Sequence, residues 1–201
     1  STVNDYRFMY RYNTLLRQYA LGNFKAFAVA VTQDPAMLRF LNGNQNVAGT
    51  PNENYARELQ ELFTIGRNGG YTEADVRAAA RALTGWADTG YRDASTATIG
   101  STFRASRHDT TDKTFSATYQ NTVIKGRSGN NAGLDELNDL LDMILKNAET
   151  ARYICRRIYR WFVNFDITTD VETNVIIPLA DLFRKSNFEL KPIMSALLQS
   201  Q

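Results

Sequence analysis

Apolar side chains recur every three or four residues through most of this chain, the period of an amphipathic helix. Tyr12, Leu15, Leu16 and Tyr19 predict a helix over 6–20, with Gly22 placed for a left-handed C-terminal cap. Asn23 is the N-cap expected for a second helix over 24–31, which buries Phe24, Phe27 and Val31. Asp34 followed by Pro35 reads as cap and first-turn proline of a short helix through Phe40. Residues 42–51 are rich in Asn and Gly and predict a loop. Beyond it, Tyr55, Leu59, Leu62 and Phe63 form the expected buried stripe of a helix over 54–65, ended by Gly66. Thr72 and Asp75 then make a capping arrangement for a helix with Val76, Ala79, Ala80 and Leu83 on one face and Gly85 beyond its end.

The period disappears over 87–133, which is rich in Thr, Ser and Gly. Here 102–107 and 113–117 predict a small hairpin across 108–112, with 122–124 as a third short strand. Helical stripes then return. Leu134, Leu137, Leu140, Leu141, Ile144 and Leu145 form one, and Ala151, Ile154, Cys155, Ile158, Trp161 and Phe162 form another. Val175, Ile176, Leu179, Leu182 and Phe183 form a third, kinked or restarted at Pro178, and Pro192 opens a last short helix through Leu198. The expected fold is mainly α: one helical domain over 1–201, a bundle with a small irregular or β-hairpin insertion at 87–133.

Composition narrows the function classes. Of 201 residues, 43% are apolar and 22% charged, an ordinary globular balance. The 23 Lys and Arg against 21 Asp and Glu give a formal charge of +2, which does not point to nucleic acid as partner. No apolar run approaches the roughly 18 residues of a membrane span. The single Cys155 cannot form an internal disulfide, and its place on an apolar stripe suits a buried, inert thiol.

The densest polar grouping is the second face of the 54–65 helix, where Asn54, Arg57, Glu58 and Glu61 align. Glu58 and Glu61, one turn apart, suit acid–base or oxygen-ligand chemistry. Arg77 and Arg81 on the next helix suit the opposite reading, an interhelical clamp with those glutamates, buried and in mutual contact. The one histidine, His108, is followed by Asp109. An imidazole is a good general base, but neighbours on a strand face opposite ways, so Asp109 orients His108 only within a turn. Otherwise Asp109 caps the turn and His108 bonds locally. One histidine does not make a His-rich zinc site, so no metal is assigned and the cofactor is unknown. Hydrolase elbow, phosphate loop and dinucleotide fingerprint are all absent from the sequence.

The stretch Asn52-Glu53-Asn54, Ala56-Arg57-Glu58-Leu59, Glu61-Leu62-Phe63-Thr64 and Gly66 resembles the signature of the bacterial "domain of unknown function 1800" family. The likeness continues through Tyr71-Thr72-Glu73, Leu83-Thr84-Gly85-Trp86, His108-Asp109 and Lys113-Thr114-Phe115. It implies an exported protein, in the periplasm, on the cell surface or secreted, of which this chain is the C-terminal part. It implies polar positions at Asn52, Glu53, Asn54, Arg57, Glu58, Glu61, Arg81, His108 and Asp109, without roles. Two functions are therefore expected to compete. One is a binding or assembly module facing another exported protein or a surface polymer. The other is a hydrolase or lyase on a polymer, with Glu58 or Glu61 and His108 sharing acid–base work.

Overall fold

The structure is a computed structural model, in which residues 2–199 are described. It is mainly helical. Helices α1 (Tyr6–Tyr19), α2 (Phe24–Gln33) and α3 (Pro35–Phe40) start at side-chain caps from Asp5, Asn23 and Asp34. Gly22 is not left-handed; α1 ends at Ala20 in right-handed backbone, so no glycine cap is needed there. Helix α4 (Asn54–Glu58) runs into a wide π-turn, Leu59–Thr64. Helix α5 (Glu73–Ala82) carries the full capping box of Thr72 and Asp75.

The middle holds two small hairpins. Strand β1 (Trp86–Thr89) pairs antiparallel with β2 (Gly100–Phe103), Trp86 opposite Phe103. Strand β3 (Lys113–Thr114) pairs with β4 (Val123–Ile124), Lys113 opposite Ile124. The hairpin expected between 102–107 and 113–117 does not form. Gly85 turns the chain at φ +98°, where a Cβ would meet Phe103 and the Arg104 carbonyl, and delivers Trp86 to Phe103. The segment 104–112 is then drawn around the C-terminal end of α5, where Asp109 N donates to Thr84 Oγ1 at 2.8 Å.

Helices α6 (Ala132–Lys146), α7 (Ala148–Phe162), α8 (Thr169–Val171), α9 (Ile177–Lys185) and α10 (Leu190–Gln199) complete the chain. A second π-turn, Glu172–Ile176, precedes Pro178 in the first turn of α9.

The apolar faces meet in two cores. One gathers α2, α4, α5 and α6, with Val31, Leu59, Val76, Leu137, Leu140 and Ile144. The other gathers α7, α9 and α10, with Ile154, Cys155, Leu179, Phe183 and Ile193. Burial pushes the Cys155 thiol up to about 12, as expected of an inert cysteine. A backbone seam joins the start of α2 to the start of α10: Phe24 N donates to Phe188 O, and Leu190 N to Gly22 O. Phe24 thereby packs against the second core, while Ala28 and Val31 of the same helix belong to the first.

Candidate functional site

The π-turn rearranges the helix that holds the densest polar grouping. In an α-helix each N–H bonds four residues back; here Ile65 N reaches Gln60 O, five back. One extra residue per turn rotates the face beyond it. Leu62, expected in the buried stripe, is 45% exposed, while Gln60, Thr64 and Ile65 turn inward. Gln60 is satisfied there, accepting from Tyr119 Oη at 2.7 Å and donating to Ala56 O. Tyr55 and Leu59, which precede the shift, are buried as expected.

The interhelical clamp is wired differently from the expectation. Arg57 makes a two-point contact with Glu73 in the first turn of α5, at 2.7 and 2.6 Å, and reaches Glu53 at 3.1 Å. Glu61 pairs with Arg67 at 3.0 Å. Asn54 and Arg77 are exposed, and neither Glu58 nor Arg77 forms an ion pair among the described residues. Arg81 lies at the end of α5, where the 104–112 segment wraps, so its partner is Asp109: Nε to Oδ2 is 2.8 Å. Burial acts to raise the Asp109 carboxyl. Hydrogen bonds from Arg81 and Thr111 outweigh it and hold the group well below the usual carboxylate range. Asp109 also accepts from Thr111 N, so it caps the turn and does not orient His108.

His108 belongs to a different cluster. Its Nδ1 lies 2.9 Å from the Thr84 carbonyl, which can only accept, so this nitrogen carries the proton. Its Nε2 sits 3.1 Å from Glu136 Oε1, at ion-pair distance but off the line of a good N–H···O bond. Glu136 Oε2 takes Lys113 Nζ at 2.5 Å, and Oε1 accepts Arg127 N at 2.7 Å. Lys113 Nζ also donates to the Asp109 carbonyl. These three side chains are at most 1% exposed. Phe103 closes the lid edge-on to the imidazole, 5.2 Å between centroids, and fits only because Gly133 of α6 lacks a Cβ. The cluster therefore ties 104–113 to α6 from inside. His108 makes its polar contacts with Thr84 and Glu136, not with Glu58 or Glu61.

Glu136 was not among the candidates. Its signal is its phase: it precedes Leu137 and Leu140 on the buried stripe of α6, where a charge survives only with a partner. Buried Asn46 was missed for a plainer reason, its place in a loop. Its side chain donates to Ala80 O and accepts Asn52 N, fixing the entry to α4 against the end of α5.

Two of the open surfaces are apolar and lie near the π-turn and α7. Between the cores lies an apolar cleft of about 330 Å³, walled by the π-turn (Leu59, Leu62, Phe63), α2 and α7, with Arg157 among its lining residues. At the end of α7, Trp161 (83% exposed), Phe162, Val163 and Phe165 (78%) stand out of the fold. Among the described residues no cluster of three or more His, Cys, Asp or Glu is placed to hold a metal, and no helix is long and apolar enough to cross a membrane.

A family model described as "Protein of unknown function (DUF1800)" matches residues 1–201. No curated protein and no solved structure matches the chain.

Proposed function

The chain belongs to the DUF1800 family, and from that premise we propose that it is a non-catalytic binding module whose contact surface is the aromatic end of α7. The observation that carries this is the exposed run of Trp161, Phe162, Val163 and Phe165 beside Arg160. Contiguous exposed apolar surface on a folded domain marks interaction sites, and Trp and Arg are the side chains that most often anchor them. The resemblance supports work outside the cytoplasm, against another exported protein or a surface polymer.

The polar groups support the same reading. Arg57, Glu61, Arg81 and Asp109 are paired within the chain, and His108 is sealed behind Phe103. A polymer hydrolase or lyase working through Glu58, Glu61 and His108 needs that imidazole open to substrate.

The test is site-specific photo-crosslinking in native cells, with the reactive group at position 161 or 165 and, as control, at exposed Asn130. A discrete adduct at 161 and 165 in the envelope fraction, absent at 130, is expected. Equal labelling at all three positions, or turnover of a surface polymer that is lost in Glu61→Gln, would overturn the proposal.

A further inference from the structure

The cleft between the cores differs from the aromatic surface in chemistry. Its walls are apolar, from Phe27, Val31, Leu59, Phe63 and Ile158. A second apolar cleft adjoins it and shares Tyr12, Met37 and Phe63, so the apolar path is elongated. The π-turn forms one wall of the first cleft and turns Leu62 out of the core. Such turns are frequent at functional sites.

Arg157 supplies the polar end. Its Nη1 donates to Leu62 O at 3.0 Å and to Tyr153 Oη at 3.2 Å, both neutral. Among the described residues it has no carboxylate partner, whereas its neighbour Arg156 holds both Glu149 and Glu172. A guanidinium with a free edge is suited to a planar anionic head, which it binds through paired N–H groups.

We propose that the cleft binds an unbranched amphiphilic carboxylate, its acyl tail between the cores and its head on Arg157. Few polar groups at one end of an apolar pocket is the pattern of a small-ligand site, and the volume lies in the usual range of about 300–1,000 Å³. This goes beyond the protein-contact surface and stands without it.

Calorimetry with dodecanoate, below its aggregation concentration, tests the site. Dodecyltrimethylammonium and dodecanol serve as comparators. One saturable site for dodecanoate is expected, absent for the cationic analogue. Arg157→Gln weakens dodecanoate about tenfold or more, a loss of about 1.4 kcal/mol, and leaves dodecanol unchanged. Leu62→Glu, on the exposed rim, sets a carboxylate beside Arg157 and is expected to weaken dodecanoate as well. Methyl NMR is expected to shift Val31, Leu59 and Ile158. No saturable dodecanoate binding, equal binding of the cationic analogue, wild-type affinity in Arg157→Gln, or shifts confined to Val163 would each overturn it.

Discussion

The charged face of α4 and the Lys113–His108–Glu136 cluster contain similar side chains under opposite conditions. On α4 and the π-turn after it, the pairs Arg57–Glu73 and Glu61–Arg67 lie in or near water, which screens the charges and competes for every hydrogen bond. Inside, Lys113 and Glu136 have surrendered their hydration entirely, and each depends on the other. Charge density along a sequence therefore does not measure energetic weight. The conspicuous cluster is the cheap one, and the costly one joins His108 and Lys113 to Glu136, more than twenty positions further on.

Breaking the inner pair should have the largest effect. Glu136→Gln leaves Lys113 charged, buried and unpaired, and is expected to cost about 3–5 kcal/mol in denaturant unfolding. The double variant Lys113→Met, Glu136→Leu is expected to cost less than Glu136→Gln alone, because both charges leave together. A double variant that costs as much as or more than the single one would show that the pair is not the source of the penalty.

Next comes Asp75, which accepts Thr72 N at 2.7 Å and both Ser116 N and Ser116 Oγ at 2.7 Å. Asp75→Ala is expected to cost about 1–2 kcal/mol, the upper part of the range for a lost cap. Burial acts to raise the Asp75 carboxyl, but these hydrogen bonds win and lower it, and Asp109 is lowered as well. A carboxyl whose folded value is depressed stabilises the fold fully above its unfolded value, here 3.8. That stability is lost as pH falls through the folded value, so acid unfolding should begin below about pH 4. Asp34 works in the opposite sense. Burial raises its carboxyl above hydrogen bonds from Ala36 and Met37, so protonation favours the fold there. Asp34→Asn should therefore steepen the net loss in acid, read as melting temperature against pH.

Smallest should be the outer face. Arg57→Ala is expected to cost about 0.2–1 kcal/mol, and Glu58→Gln to stay within about 0.5 kcal/mol. If Arg57→Ala matched Glu136→Gln in the same unfolding assay, the contrast between the two regions would collapse.

Features set by neighbours in sequence were legible. The caps at Asn23, Asp34 and Thr72 occur where predicted, because each needs only a side chain and the next turn's amides. Leu137, Leu140, Leu141, Ile144 and Leu145 on α6 and Ala151, Ile154 and Cys155 on α7 are buried as period predicts, but Trp161 and Phe162, expected on the α7 stripe, stand exposed where the helix runs past the core. What was hidden depends on distant partners or on backbone register. Phe103 leaves the expected 102–117 hairpin for Trp86, a choice set by Gly85 and by Thr84 holding Asp109. Arg81 was correctly marked as paired but given the wrong acid, since nothing local brings Asp109 to the end of α5. The π-turn leaves no mark in apolar spacing, so Leu62 was assigned to the core and Gln60 was not. Glu136 was readable in principle, as a lone charge on an apolar face; Lys113, in a two-residue strand, was not.

The seam between Gly22–Phe24 and Phe188–Leu190 also has a meaning in time. Its side-chain stitch, Asn23 Nδ2 to Asn187 O, joins residues 164 apart, whereas a helical turn joins residues four apart. Closing the longer loop costs about 3 kcal/mol more in chain entropy. Either core can gather most of its members from contiguous chain before that cost is met. Assembly is therefore expected to run from two separate nuclei to one late closure. In pulsed hydrogen exchange the amides of Phe24 and Leu190 should gain protection after those of α6.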